Sequence, residues 1–383
     1  MNPTMSNECQ PPRNPGDYPT WEGKPTTGNE SAARPPWLTR WPDDGLEAVG
    51  SCPACGSSLR SVWHDGLVDS SFRTAPGRWT LQRCSHCASG YLDPRPDAAS
   101  IHLAYSRYYT HVGPDVSAPE PTRLGPRLRR WVASGYADYR YGTRRSPTAT
   151  WAHALAMLFP LQRDHWDRQH RHLPRPREDA DRLLDVGCGG GDFLIVARDR
   201  GWKVCGVDPD LTATTRARQL DLPVLNGGLE LLANQEAQFD AITLSHVIEH
   251  VHQPLCMLQD CHRLLKPGGI LWLETPNVGS YGHRRFGSNW RGLEAPRHLT
   301  VFSWQGLLTI MEAAGFADVE RQRVPSSRGS MFRQSVAMAS GGPADAQVRL
   351  PIALRARAFA GRLSERFHAT WSEFITLSAR RPD

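Results

Sequence analysis

The stretch Arg182–Asp192, Arg-Leu-Leu-Asp-Val-Gly-Cys-Gly-Gly-Gly-Asp, constrains the fold more than any other part of the chain. Leu183, Leu184 and Val186 read as a strand running into a glycine cluster (Gly187, Gly189, Gly190, Gly191), and Phe193–Arg200 reads as a helix beyond it. Strand, tight turn, helix lets backbone come close to a bound cofactor. The glycines reach positive φ and carry no bulk, and the helix start presents unpaired N–H groups. A dinucleotide site has the same outline. Two features weigh against it. Asp185 precedes the first glycine, where a carboxylate can meet a cationic amino group, and the glycines run Gly-x-Gly-Gly-Gly rather than G-x-G-x-x-G. A second strand, Lys203–Val207, ends in Asp208, placed to accept hydrogen bonds from ribose hydroxyls, which suits either nucleoside ligand.

Further on, Phe239–Val247 is an apolar strand followed by Ile248-Glu-His-Val251. A helix begins near Pro254 and closes at Leu264-Leu-Lys-Pro-Gly-Gly269, and a strand, Ile270–Glu274, ends in Thr-Pro-Asn277. This succession resembles class I S-adenosylmethionine-dependent methyltransferases over residues 180–325 and the C-terminal strand. Strands are expected at Arg182–Val186, Lys203–Val207, Pro223–Leu225, Ala241–Ser245, Ile270–Glu274, Val319–Val324 and Phe374–Ala379. Helices fall between them, one starting at Ser303 as N-cap and stopping at Gly315. Such alternation gives an α/β fold with a parallel sheet covered on both faces. The resemblance implies a Rossmann-like seven-stranded sheet with its last strand antiparallel. It also implies that Asp185, Gly187 and Gly189 hold the methionine end of S-adenosylmethionine and Asp208 the ribose. Pro209 or Asp210 then borders the adenine. Asn226-Gly-Gly-Leu-Glu230 leaves the backbone of Gly228 and Leu229 to meet the adenine edge, and Ser245 and His246 close the fourth strand at the ligand-binding edge.

The nine cysteines are odd in number, and four form two C-x-x-C pairs, Cys52/Cys55 and Cys84/Cys87. Two such knuckles aim four thiolates at one point, the pattern of a closed structural zinc ribbon in a reducing compartment. Free buried thiols are the alternative. His86 lies inside the second knuckle and is expected to be exposed. Gly90-Tyr-Leu-Asp-Pro-Arg-Pro96 and an aromatic helix over Ala98–Tyr109 follow. In this order they resemble the N-terminal extension of a subset of these methyltransferases, which implies that the extension packs on the catalytic domain and helps to form the substrate cavity. Ala88 stands where that extension usually has glycine, which puts a tight turn in doubt.

The chain divides into a Pro/Gly-rich disordered tail (1–45), a zinc-ribbon-like domain (46–95), a helical linker or lid (96–178) and a methyltransferase domain (179–383). Trp21, Trp37 and Trp41 are unusual in such a tail. The linker holds a Pro-rich stretch, Pro114–Pro126, and helices at Leu128–Tyr141 and Thr150–His172. The last domain carries a helical insertion at about 326–370, with a basic helix at Leu350–Phe367. Lys and Arg number 45 against 39 Asp and Glu, an excess too small to imply nucleic acid, although Arg123–Arg145 is locally basic. No apolar run is long enough to span a bilayer and no signal-peptide core is visible, so no membrane partner and a cytoplasmic location are expected.

Methyl transfer to a hydroxyl needs positioning and a base. The candidates are His246, Glu249, His250 and His298, the last in Trp290-Arg-Gly-Leu-Glu-Ala-Pro-Arg-His-Leu299. Glu249 and His250 could equally serve to orient the loop after the fourth strand. His246-x-x-Glu249-His250 matches a zinc-protease pattern, but it starts at a strand end rather than on a helix. Related methyltransferases bind a divalent cation through E-x-x-E-H plus a later histidine; here His246 replaces the first glutamate, which puts magnesium in doubt. The expected acceptor is a small molecule, a sugar or other polyhydroxylated metabolite, methylated at oxygen or carbon, on the strength of the extension's resemblance. Two rivals remain: a zinc-ribbon RNA methyltransferase and a non-catalytic scaffold. The first would show steep salt-dependent RNA binding and the second no cofactor binding.

Overall fold

The computed structural model describes residues 35–105, 124–143, 152–177, 180–365 and 369–383. The N-terminal strands are short and antiparallel. β1 (Leu46–Glu47) pairs with β5 (Arg95–Pro96). Between them β2 (Arg60–Leu67), β3 (Trp79–Cys84) and β4 (Gly90–Leu92) form a meander. In β3 Trp79 and Leu81 point inward and their neighbours outward, the two-residue period of a half-buried strand. Helices α1 (Leu124–Tyr141), α2 (Ala152–Met157) and α3 (Pro160–Gln169) lead to the main sheet.

That sheet contains β6 (Arg182–Val186), β7 (Lys203–Asp208), β8 (Val224–Asn226), β9 (Phe239–Ser245), β10 (Leu265–Pro276), β12 (Ala317–Arg321) and β13 (Phe374–Arg380). A further two-residue strand, β11 (Thr300–Val301), lies elsewhere. The order is β12-β13-β10-β9-β6-β7-β8, with β6 to β10 parallel and β13 antiparallel to both of its neighbours. Helices α4 (Asp192–Arg198), α5 (Leu211–Gln219), α6 (Pro254–Leu264) and α8 (Trp304–Ala313) connect these strands, and α7 (Tyr281–Phe286) follows β10. This is the Rossmann-like seven-stranded arrangement expected from the sequence. Leu183, Leu184 and Val186 are all buried, as a central parallel strand covered on both faces requires. Ser303 caps α8, its hydroxyl accepting from Gly306 N at 2.9 Å.

The ribbon is joined to this body. β11, from the segment after the main sheet's β10, pairs antiparallel with β4 and completes a four-stranded sheet in the order β11-β4-β3-β2. All four knuckle cysteines belong to the same buried cluster as Leu184, Val186 and Leu271 of the main sheet.

Several expectations need correction. Residues 35–45 are not a tail: Pro36–Leu38 and Asp43–Gly45 make short 3-10 turns. Trp41 is buried, edge-on to Trp79 at 5.2 Å, with its indole N–H donating to Gly45 O. One large aromatic anchors an otherwise breaker-rich segment. The helix expected over Thr150–His172 breaks after Met157, because Pro160 lacks an N–H and starts a new helix. Of the aromatic segment Ala98–Tyr109, Ile101–Tyr105 forms a 3-10 helix rather than an α-helix. Tyr108, Tyr109, Trp21, Trp151 and most of Pro114–Pro126 lie outside the described residues. The strand expected at Val319–Val324 begins two residues earlier. The insertion holds two helices, α9 (Arg328–Ala339) and α10 (Ile352–Ser364); the first went unforeseen because Arg, Ser and Gln interrupt its apolar stripe of Met331, Phe332 and Met338. Among the described residues no helix is long and apolar enough to cross a membrane.

Candidate functional site

The carboxyl ends of β6, β7, β9 and β10 lie side by side, the edge at which open α/β sheets hold ligands. Gly187 leaves β6 at φ 68, and a Cβ there would come within 2.5 Å of Val247 Cγ2. Gly189 has φ 52, and a Cβ there would meet nothing within 4 Å, so the loop faces open space. Gly189 N donates to Asp208 Oδ2 at 2.8 Å and Asp210 N to Asp208 Oδ1 at 2.9 Å. Asp208 thereby ties the ends of β6 and β7 together. Burial pushes its carboxyl pKa up, against those two backbone bonds.

Asp185 is buried beneath the glycines. Its Oδ1 accepts from Thr243 Oγ1 at 2.8 Å and from Arg171 Nη1, while Oδ2 is buried with no partner. A buried carboxylate oxygen left unpaired beside a cradle is what a ligand ammonium would satisfy. The donor set therefore fits S-adenosylmethionine. Arg171 stacks 3.7 Å over the Phe193 ring and has φ 47, followed by His172 at φ 51. Neither Arg171 nor Thr243 was singled out from sequence: arginine is scattered through residues 163–177, and only tertiary structure selects one.

The adenine end differs from expectation. Gly228 N is occupied by Glu230 Oε1 at 2.6 Å, and the Leu229 side chain is in the core. Gly228 is therefore not an open donor, because a side chain two residues on reaches it first. Asn226 Nδ2 donates to Asp208 O and Pro209 O, bracing the turn that carries Pro209.

Ser245 ends β9, and His246 follows with φ 57. The His246 ring lies between two buried carboxylates, Nδ1 at 3.2 Å from Glu249 and Nε2 at 3.4 Å from Glu274. Burial opposes its charge, but the two acids win and its pKa is raised to about 9. The two acids thus favour the charged form of His246, which weighs against the role of base expected for it. Glu274 also receives Arg168 Nε at 3.1 Å and Thr376 Oγ1 at 2.7 Å. Burial would raise its pKa and that of Glu249, but both are lowered, Glu274 by His246 and Arg168 together and Glu249 by His246 with His250 and His298.

His250 and His298 meet edge to face, with ring centroids 4.7 Å apart. His250 Nδ1 is 3.1 Å from Arg297 O and 3.0 Å from Tyr105 OH, so the N-terminal extension touches the site through Tyr105. His298 Nδ1 donates to Gly292 O at 2.8 Å, which leaves Nε2 with its lone pair; burial lowers its pKa to about 4. One ligand atom from each of Glu249, His250 and His298 lies within 4.8 Å of the others. This constellation could hold a cation, and two nitrogens with one oxygen suit a borderline transition metal better than magnesium.

The loop bearing His298 is fixed by the ribbon. Arg297 is fully buried and forks onto Asp69 with bonds of 3.0 and 2.9 Å. Asp69 also accepts from Phe72 N, Thr74 N and Ala75 N. Burial alone would raise the Asp69 pKa, but Arg297 and these amides lower it. Cys52, Cys55, Cys84 and Cys87 are buried with their Sγ atoms within 4.8 Å of one another. Tetrahedral zinc–thiolate bonds of about 2.3 Å need sulfurs about 3.8 Å apart, so the set fits zinc. The second knuckle closes despite Ala88, which adopts φ 61 while its N–H bonds to Cys84 O. His86 is exposed.

Residues 157–321 match a family model described as a methyltransferase domain. The ubiquinone biosynthesis O-methyltransferase of Xanthomonas campestris pv. campestris is 39% identical over 103 residues, covering 25% of this chain and 43% of that protein. The enzyme of the same name from Pseudomonas paraeruginosa is 39% identical over 102 residues, covering 25% and 44%. The chain thus spans less than half the length of these curated relatives. A solved S-adenosylmethionine-dependent methyltransferase from Archaeoglobus fulgidus overlaps at a TM-score of 0.40 and 20% identity, covering 56% of this chain and 91% of that one. Residues 157–321 thus match a methyltransferase domain, and a four-cysteine extension precedes it.

Proposed function

We propose that the protein transfers a methyl group from S-adenosylmethionine to a small-molecule acceptor held between the β9 and β10 ends and the loop 290–298. The single observation that carries this reading is the Asp185 carboxylate, buried and half unpaired beneath an open glycine turn whose other wall is Asp208. When bound, the cofactor would supply an electrophilic methyl group on a sulfonium. Asp185, Gly187 and Gly189 would hold its methionine end, Asp208 its ribose, and Pro209 would flank the base. His250 would take the proton of an acceptor hydroxyl, since its Nδ1 is committed and Nε2 is left. His298 would line the same pocket as a neutral ring, and Glu249 would supply negative charge beside it. The O-methyltransferase names of the partial relatives favour oxygen; a sugar or other polyhydroxylated acceptor rests on the four-cysteine extension. Zinc in the four-cysteine site would be structural.

Screening labelled methyl transfer into hydroxylated acceptors tests this. For any acceptor found, His250→Ala should lower the rate by roughly 10²-fold or more without changing cofactor affinity, and an unchanged rate would remove His250 from the role.

A second reading is favoured by the convergence of Glu249, His250 and His298: a divalent cation that orients the acceptor. Metal beyond one zinc per chain, lost in Glu249→Ala, supports it. A chain that retains zinc alone after dialysis against magnesium and manganese sinks it.

A further inference from the structure

A cavity of about 720 Å³ opens between the ribbon's 69–75 turn, Arg291 and the inserted α9 with its following loop. It is distinct from the glycine cradle and shares no lining residue with it. Three arginines line it, Arg73, Arg291 and Arg333, against a single acid, Asp345. Two of the guanidiniums are held on aromatic faces: Arg73 over Trp37 at 5.5 Å and Arg291 over Phe72 at 5.2 Å. Arg291 also bonds Glu294, which fixes the side chain, yet its Nε is buried with no partner. Arg333 is exposed and makes no ion pair among the described residues. Pre-positioned, incompletely satisfied guanidiniums are matched to oxyanions, and their planar forks suit phosphate geometry. A lone carboxylate would leave most of the cavity and most of the positive charge unused. The volume is that of a site for a whole small molecule.

We propose that this cavity binds a phosphate or diphosphate group carried by the methyl acceptor, gripped by Arg73, Arg291 and Arg333. The link to the acceptor rests on the methyl-transfer reading above, and on one chain of contacts. Arg291 bonds Glu294, whose carboxylate is 3.7 Å from His298 Nε2, and His298 packs on His250. The loop that forms one wall of the cavity therefore forms a wall of the proposed reaction site as well.

The test is calorimetry on the zinc-loaded full chain with inorganic pyrophosphate, inorganic phosphate and ribose 5-phosphate as probes, and S-adenosylmethionine titrated in parallel. Pyrophosphate should bind, and Arg333→Ala and Arg73→Ala should each weaken it by roughly tenfold, while Lys203→Ala, an exposed cation on β7, leaves it unchanged. Asp345→Asn should tighten it. Ribose 5-phosphate binding more tightly than inorganic phosphate supports a group carried by an organic acceptor; equal affinities overturn that part. If S-adenosylmethionine binds but pyrophosphate does not, or binds equally to both arginine variants, the subsite is wrong and the methyl-transfer reading survives. Arginine-dependent pyrophosphate binding by a folded chain that ignores S-adenosylmethionine keeps the subsite and removes its link to a methyl acceptor.

Discussion

The proposed cofactor cradle and the proposed acceptor wall are built in opposite ways. The cradle comes from the ends of adjacent parallel strands: Asp185 and the glycines from β6, Asp208 from β7, Thr243 from β9. Each lies within a strand's length of the others, and backbone bonds such as Gly189 N to Asp208 set the geometry. The wall is assembled from distant segments: Tyr105, the 69–75 turn of the ribbon, and the loop 290–298. It is fastened by side chains such as Arg297 on Asp69, 228 positions apart. A site made from sheet edges inherits the rigidity of the sheet. A site made from an appended ribbon depends on what holds the ribbon.

That difference predicts separable losses. The largest follows Cys84→Ser. A structural zinc site contributes on the order of 10 kcal/mol to the fold that holds it, so the ribbon should lose its metal and become open to protease, while S-adenosylmethionine affinity changes little. Metal analysis, limited proteolysis and calorimetry on one preparation check this. Equal loss of cofactor binding in soluble, folded protein would mean the two regions are one unit, which their shared buried cluster makes a real alternative.

Arg297→Ala comes next. It strands the buried Asp69 carboxylate, a change that costs about 3 kcal/mol or more, read as a lower denaturant midpoint. Asp69 keeps three backbone donors, so the cost should sit near that lower figure. Acid should remove the same contribution. The folded pKa of Asp69 is depressed, so its stabilisation is complete above the unfolded value of about 4 and fades as pH falls through the folded value.

A milder acid effect comes from another contact of the ribbon. His283 donates from Nδ1 to Val278 O at 2.7 Å and accepts at Nε2 from His64 Nε2, 2.9 Å away. Burial lowers its pKa to about 4. The unfolded chain then binds this proton from about pH 6.5 downward while the folded chain refuses it until about 4. Stability should fall across that window by about 3 kcal/mol at most. Denaturant melts at pH 7 and pH 5, with His283→Asn flattening the difference, measure it.

The smallest effect is at Ala88. Its left-handed conformation costs about 1 kcal/mol relative to glycine, so Ala88→Gly should raise stability by that amount without altering zinc content.

The same contrast explains what was legible in the sequence. The cradle's residues sit at strand ends, where an apolar run followed by Asp or Gly announces itself; the parallel sheet followed from those runs, and its one antiparallel strand from the family resemblance they carry. The cysteines were legible because metal geometry imposes a spacing. Arg171, Glu274 and the Asp69–Arg297 pair were not, since a charged side chain brought inward by tertiary structure leaves no local pattern. The pairing of His246 was hidden for a related reason: its residue type suggests a base, and only the flanking Glu249 and Glu274, distant or buried in the fold, favour its charged form. Gly228 reads as an open donor in the sequence, but Glu230 folds back on it.

The central claim is that Asp185, the glycine turn and Asp208 form a working cofactor site. Calorimetric titration of S-adenosylmethionine into the zinc-loaded chain and into Asp208→Ala tests it most directly. The account predicts micromolar binding that the substitution weakens by roughly tenfold or more, as loss of a buried charge-assisted contact should. Absence of binding by the folded, zinc-loaded protein, or equal affinity in the variant, would contradict it and favour a scaffold that retains the fold without the chemistry.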